Sequence, residues 1–161
     1  MVVKDVVDQL PRHPSKQYRT RALGDIARVV IHHSATNGGT PESLARYHVN
    51  KRGWPGIGYH YVIASDGTVY KTNYATTVSW HAGSSANWDS IGACMIGDFT
   101  KHEVPQVQLA STLELVQELM RAYSIPVSGV VGHSEVPEAA TLCPGDAVDM
   151  RAIRLTLREG S

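Results

Sequence analysis

The chain has 161 residues, 42% hydrophobic and 19% charged, with 15 basic and 15 acidic side chains. That length suits one domain with a single core and is short for two. The balanced charge argues against a nucleic-acid footprint, which shows as clustered Lys and Arg, and no apolar run approaches the ~20 residues a membrane helix needs.

Residues 1–23 have little periodicity after Leu10 and read as an extended arm packed on the domain, with a short helix over 3–10. An acidic residue comes early and no long apolar stretch follows, so no signal peptide is expected. Lys16, Arg19, Arg21, Lys51 and Arg52 are scattered and read as solvated surface. Residues 24–161 form the domain proper. A buried strand is predicted over 27–32, an apolar run that ends on a histidine. Thr40-Pro41 reads as an N-cap followed by proline at the first helical position. The helix that follows carries Leu44, Tyr47, His48 and Lys51 on one side.

Residues 53–58 make a loop around Trp54. Residues 59–64 alternate as a strand, Asp66-Gly67 marks a hairpin turn, and 68–71 return. Another central strand covers 90–97, with Cys94 as a packed core residue. The clearest helix spans 105–123, where Leu109, Leu113, Val116 and Met120 recur on one face. A last buried strand over 129–132 delivers His133, and Met150, Ile153 and Leu157 mark a C-terminal helix. Strands interleaved with helices predict an α/β fold, a single domain with a mixed central β-sheet flanked by helices.

Three soft ligands stand where apolar runs end or loops begin: His32, His133 and Cys143. Two imidazoles and a thiolate are the number a catalytic zinc uses when a fourth position stays open. The same residues also read as two ordinary strand-end histidines and a small buried hydrophobe, since their intervals match no compact zinc signature. The only two cysteines, Cys94 and Cys143, allow a disulfide, but reduced thiols are expected in a chain without a secretion signal. Ser34 and Ser134 offer a serine-hydrolase alternative, yet neither sits in a nucleophile-elbow context.

The wording of the motifs adds a resemblance. Ile31-His32-His33-Ser34-Ala35-Thr36, Gly56-Ile57-Gly58-Tyr59-His60-Tyr61, Trp80-His81-Ala82-Gly83, Asn87-Trp88-Asp89, Gly132-His133-Ser134-Glu135-Val136 and Thr141-Leu142-Cys143-Pro144-Gly145 occur in one order. In that order they resemble the zinc-dependent N-acetylmuramoyl-L-alanine amidases of type 2, the superfamily of phage endolysins and peptidoglycan recognition proteins. The likeness covers roughly residues 24–157, and the lead-in from Leu10 to Arg21 is similar to the N-terminal segment of some members.

The resemblance implies zinc (Zn2+) on His32, His133 and Cys143. His32 is preferred over His33 because the family pattern takes the first of the pair and strand neighbours point to opposite faces. It implies Tyr59 as the donor to the oxyanion and Thr141 as a second catalytic position, where members carry lysine or threonine. It also implies His81 in the substrate groove. Trp54, Trp80, Trp88 and Asn87 lie in loops that suit sugar stacking or simply pin a loop. Glu135 either orients a ligand imidazole or is a surface charge. The implied substrate is peptidoglycan, cut between N-acetylmuramic acid and L-alanine, by a monomeric phage or prophage endolysin held in the host cytoplasm until lysis. The alternative is a non-catalytic recognition module; such members typically lose the cysteine ligand.

Overall fold

The computed structural model describes residues 1–83 and 85–160. Its strands are β1 (Val3–Asp5), β2 (Arg19–Thr20), β3 (Arg28–His33), β4 (Tyr61–Ile63), β5 (Val69–Lys71), β6 (Thr77–Val78), β7 (Ser90–Met95) and β8 (Val130–Gly132). The helices are α1 (Pro41–Arg46), α2 (Ala86–Asp89), α3 (Gln106–Tyr123) and α4 (Met150–Glu159). Six strands form one mixed sheet in the order β1-β5-β4-β7-β3-β8, and β2 with β6 makes a separate antiparallel pair.

The centre of the sheet lies where the chain is most continuously apolar. Val29, Val30 and Ile31 of β3 and Ile91, Ala93, Cys94 and Met95 of β7 are fully buried, as strands covered on both faces require. Alternation then sorts the side chains. Val29, Ile31, Ile91, Ala93, Met95 and Ile63 join Leu115, Val116 and Leu119 of α3 and Ile153 and Leu157 of α4 in the main core. Val30 faces the other way, with Ala82 and Ala86, and Val62 packs with Ala45 and Ile57. Parallel pairing places His32 beside Cys94 and Ile31 beside Gly132. By period 2, His32 therefore emerges on the face of Val30 and Cys94, opposite α3. The site is built on that face.

The β4–β5 hairpin turns at Gly67, whose φ of +88° favours glycine, and Asp66 Oδ1 accepts the Thr68 N–H at 2.9 Å. Thr40 caps α1 in a reciprocal box with Ser43.

Three expectations are corrected. Residues 3–10 are not a helix: Val3–Asp5 pairs parallel with β5 and Val7–Gln9 is a 3-10 turn. Its three valines are β-branched and suit an edge strand better than a helix. The helix begun at Pro41 widens into a π-helical turn, Tyr47–Lys51, that buries His48 and Val49 and leaves Tyr47 exposed. That wider turn breaks the single stripe predicted for Leu44, Tyr47, His48 and Lys51. Helix α3 buries Gln108, Ser111, Thr112, Leu115, Val116 and Leu119, while Leu109, Leu113 and Met120 flank the core. The face is rotated because Gln108 Nε2 donates to the carbonyls of Ile63 and Ile96, at 2.9 and 3.0 Å. A polar residue thus anchors the start of the helix to the sheet.

Candidate active site

His32 ends β3, His133 follows β8 directly, and Cys143 comes back over them on the loop before α4. The ligand atoms of these three residues lie within 4.8 Å of one another, the one such cluster among the described residues. His32 Nδ1 is 3.6 Å from Cys143 Sγ, and the His32 and His133 ring centroids are 4.7 Å apart. Nitrogen and sulfur donors in this number suit zinc, with room for one further ligand.

Both cysteines are free. Burial pushes the Cys143 thiol up to about 11, opposed by the His33 N–H that donates to its sulfur. Burial likewise holds His32 well below its ordinary value, helped by the neighbouring imidazoles, and lowers His133. Both shifts favour neutral imidazoles, the form a metal ligand needs.

Around this cluster lies an open groove of about 300 Å³ lined by His48, Arg52, Trp54, Tyr59, Trp80, His81 and Thr141, among others. Tyr59 packs its ring on His32 at 5.1 Å and on His48 at 5.5 Å. Burial raises its phenol well above the ordinary range, reinforced by the Cys94 and Cys143 thiols, so it keeps its proton and can donate. Thr141 Oγ1 accepts the Cys143 N–H at 3.1 Å, bracing the backbone of the candidate ligand two residues on. Trp54 stacks on His48 at 4.4 Å and meets Trp80 edge to face at 6.1 Å.

Other residues singled out from the sequence land differently. His81 is only 5% exposed, with one ring nitrogen on His32 and the other on Ser90 Oγ. Asn87 turns its Oδ1 onto the Ala82 N–H at 2.7 Å, and neither it nor Trp88 is part of the groove lining. Glu135 touches neither imidazole: its Oε1 accepts the Gly132 N–H at 2.8 Å, and Arg154 grips it through both terminal nitrogens. It steadies the turn that carries His133. His33 points to the opposite face and accepts the Phe99 N–H at Nδ1. Ser34 Oγ bonds Thr36 and the backbone of Gly97, not a histidine.

Sequence reasoning missed His48, Arg52 and Arg21. His48 Nδ1 accepts the Gly58 N–H at 2.9 Å, and burial lowers its pKa to about 4. Arg52 lies over the Tyr47 and Trp54 rings at 5.8 and 5.5 Å. Arg21, read as solvated, is 6% exposed and donates to the carbonyls of Ala75, Asn87 and Trp88. Arg21 acquires its role from segments distant in sequence, whereas His48 and Arg52 depend on how the π-helical turn and the Trp54 loop fold back on each other.

Residues 22–146 match the family model described as N-acetylmuramoyl-L-alanine amidase. Peptidoglycan recognition protein 1 of Bos taurus is 36% identical over 130 residues, covering 73% of this chain and 65% of that protein. The chain thus spans just under two thirds of that relative's length. Among solved structures, the N-acetylmuramoyl-L-alanine amidase LysC from Clostridium intestinale URNW superposes with a TM-score of 0.81 at 28% identity, over 98% of each chain. The Ph2119 endolysin from Thermus scotoductus MAT2119 bacteriophage Ph2119 does so with a TM-score of 0.79 at 28% identity, over 94% of this chain and 96% of that one. The motif order, the mixed sheet and the match over most of its length agree: this chain belongs to the N-acetylmuramoyl-L-alanine amidase family.

Proposed function

We propose that the chain is a zinc-dependent amidase that hydrolyses the bond between the lactyl group of N-acetylmuramic acid and the L-alanine of the peptidoglycan stem peptide. The observation that carries this reading is the convergence of His32, His133 and a free Cys143 in the floor of an open groove. Zinc held there would supply Lewis acidity, polarising the amide carbonyl and making water nucleophilic at neutral pH.

The chain's own residues supply the rest. Tyr59 holds a proton on a phenol that burial keeps neutral, suited to donate to the oxygen where negative charge develops. Thr141, with its oxygen already accepting the Cys143 N–H, keeps its own hydroxyl proton for a weaker bond. Trp54 and Trp80 present aromatic surface to a sugar or stem peptide. Hydrolysis adds water across the amide, leaving a carboxylate on the lactyl group and a free amine on L-alanine.

A recognition module that binds the wall without chemistry is the second reading, because peptidoglycan recognition proteins are among the relatives. The intact thiol beside His32 favours catalysis. Endolysin neighbours favour a monomeric lytic role on the wall at the end of an infection, after residence in the host cytoplasm. Digestion of purified sacculi tests the reading: new L-alanine amino termini are expected, without new reducing sugar ends. Reducing ends in their place would make the enzyme a glycosidase.

A further inference from the structure

An imidazole ligand offers a metal only one of its two nitrogens, and the hydrogen bond made by the other decides which. In His32 the choice can be traced to a backbone carbonyl. Ser90 Oγ lies 2.5 Å from the Ala86 carbonyl, which can only accept, so the serine proton is committed there. Ser90 Oγ must then accept from His81 Nε2, 3.0 Å away. That puts the proton of His81 on Nε2 and leaves Nδ1 bare. His81 Nδ1 is 2.9 Å from His32 Nε2, so His32 carries its proton on Nε2. Its bare Nδ1 is the atom that faces Cys143 Sγ.

The residue next to His81 does the same for the second ligand. His133 Nε2 lies 3.3 Å from the Ala82 carbonyl, an obligate acceptor, so His133 also keeps its proton on Nε2 and its lone pair on Nδ1. Ala82 is pinned in turn by Asn87 Oδ1 on its N–H. The sheet leaves space for this arrangement, because a Cβ on Gly92 would stand 2.6 Å from Cγ of His81. The neighbouring strand gives up a side chain where the His81 ring lies.

We propose that the His81-Ala82 segment, anchored by Ser90 and Asn87, sets the tautomer of both histidine ligands, and that His81 is a positioning residue acting through His32. The inference rests on the zinc reading above but is separable from it. Both are tested on the full chain with zinc itself as the probe. The zinc dissociation constant is measured by competition with a chromophoric chelator, and the imidazole 15N pattern of His32 and His133 is read in metal-free protein.

Replacing His81 with alanine should weaken zinc binding about 10–100-fold and remove the Nε2–H signature of His32 while leaving that of His133. H81Q, whose amide can accept from His32 and donate to Ser90, should recover most of the affinity. S90A keeps the ring and removes its acceptor together with the bond to the Ala86 carbonyl, so it should loosen the His32 tautomer in a protein whose melting temperature confirms a folded domain. Unchanged zinc affinity and an unchanged His32 pattern in both H81A and S90A would overturn the proposal, the more so if KM for wall fragments rose instead. Wild-type protein that fails to bind zinc would overturn the functional reading alone, and the 15N pattern would still decide the role of His81.

Discussion

Tyr18 and Trp80 meet edge to face, their ring centroids 5.6 Å apart and their planes at 77°. The pair ties the N-terminal segment to the rim of the groove. The Tyr18 hydroxyl also donates to the carbonyls of Gly56 and Ile57, at 2.8 and 3.2 Å, and Lys16 Nζ reaches the Gly53 carbonyl. The loop that carries Trp54 and the loop that carries Trp80 are thus backed by one strip of chain. Substituting Tyr18 with alanine should raise KM for peptidoglycan fragments several-fold, with a smaller effect on kcat and none on zinc content. Tyr18→Phe keeps the ring contact and loses only the hydroxyl bonds, about 1 kcal/mol of stability. Steady-state kinetics beside a thermal melt checks both; an unaltered KM in Tyr18→Ala would remove the groove-wall role.

The two thiols should separate cleanly in their consequences. Cys143→Ser is expected to lose tight zinc binding and wall lysis together, because its sulfur is one of the three proposed ligands. Cys94→Ser should retain the metal, since Cys94 lies on the same face but outside the cluster. It should lose stability instead, as a hydroxyl replaces sulfur at a fully buried site. A strong chelator should stop lysis and added zinc restore it. Elemental analysis of each purified variant provides the measurement, and a metal-free Cys94→Ser would reverse the assignment.

Tyr59→Phe isolates the proposed oxyanion donor. The ring contacts with His32 and His48 survive, so melting temperature and zinc content should stay near wild type. The turnover number should fall on the order of 10²–10³, roughly 3–4 kcal/mol, the cost of one such donor. Thr141→Ala should cost less, because an aliphatic hydroxyl is a weaker hydrogen-bond donor than a phenol. Loss of its bond to the Cys143 N–H should also weaken zinc slightly. Near-normal turnover in Tyr59→Phe beside an inactive, zinc-replete Thr141→Ala would exchange the two roles.

The Glu135–Arg154 pair predicts a pH dependence. Arg154 holds the Glu135 carboxyl below its ordinary value of 4.5, aided by the Gly132 N–H and opposed by partial burial. A carboxylate depressed in the folded state stabilises above its unfolded pKa, and that stability is lost as pH falls through the folded value. Glu135→Gln should therefore melt below wild type at pH 7, and the two curves should converge in acid below pH 4.5. The pair is partly exposed, so the difference should shrink with salt and stay within about 1 kcal/mol, or roughly 2–4 °C for a domain of this size. A gap that persists unchanged in acid would assign the effect to packing.

Several parts of the molecule were legible along the chain because their causes are local. Val29-Val30-Ile31 and Ile91 to Met95 are apolar enough to be central strands wherever they lie. Thr40-Pro41 starts a helix through its own capping chemistry, and Asp66-Gly67 turns through its own backbone. The three candidate ligands could be singled out because each stands beside such an element in recognisable motif wording, and the fold brings their donor atoms together. What the tertiary structure alone decided is which atoms those residues present, and to whom. The fate of the valines near the N-terminus depended on an open edge at β5, and the buried face of α3 on two carbonyls at strand ends. Arg21, Glu135 and His81 take their roles from partners brought close by sheet register and loop closure. A hydrogen bond of about 3 Å between segments far apart in sequence depends on that register and on a single rotamer, and neither is encoded in the residues on either side.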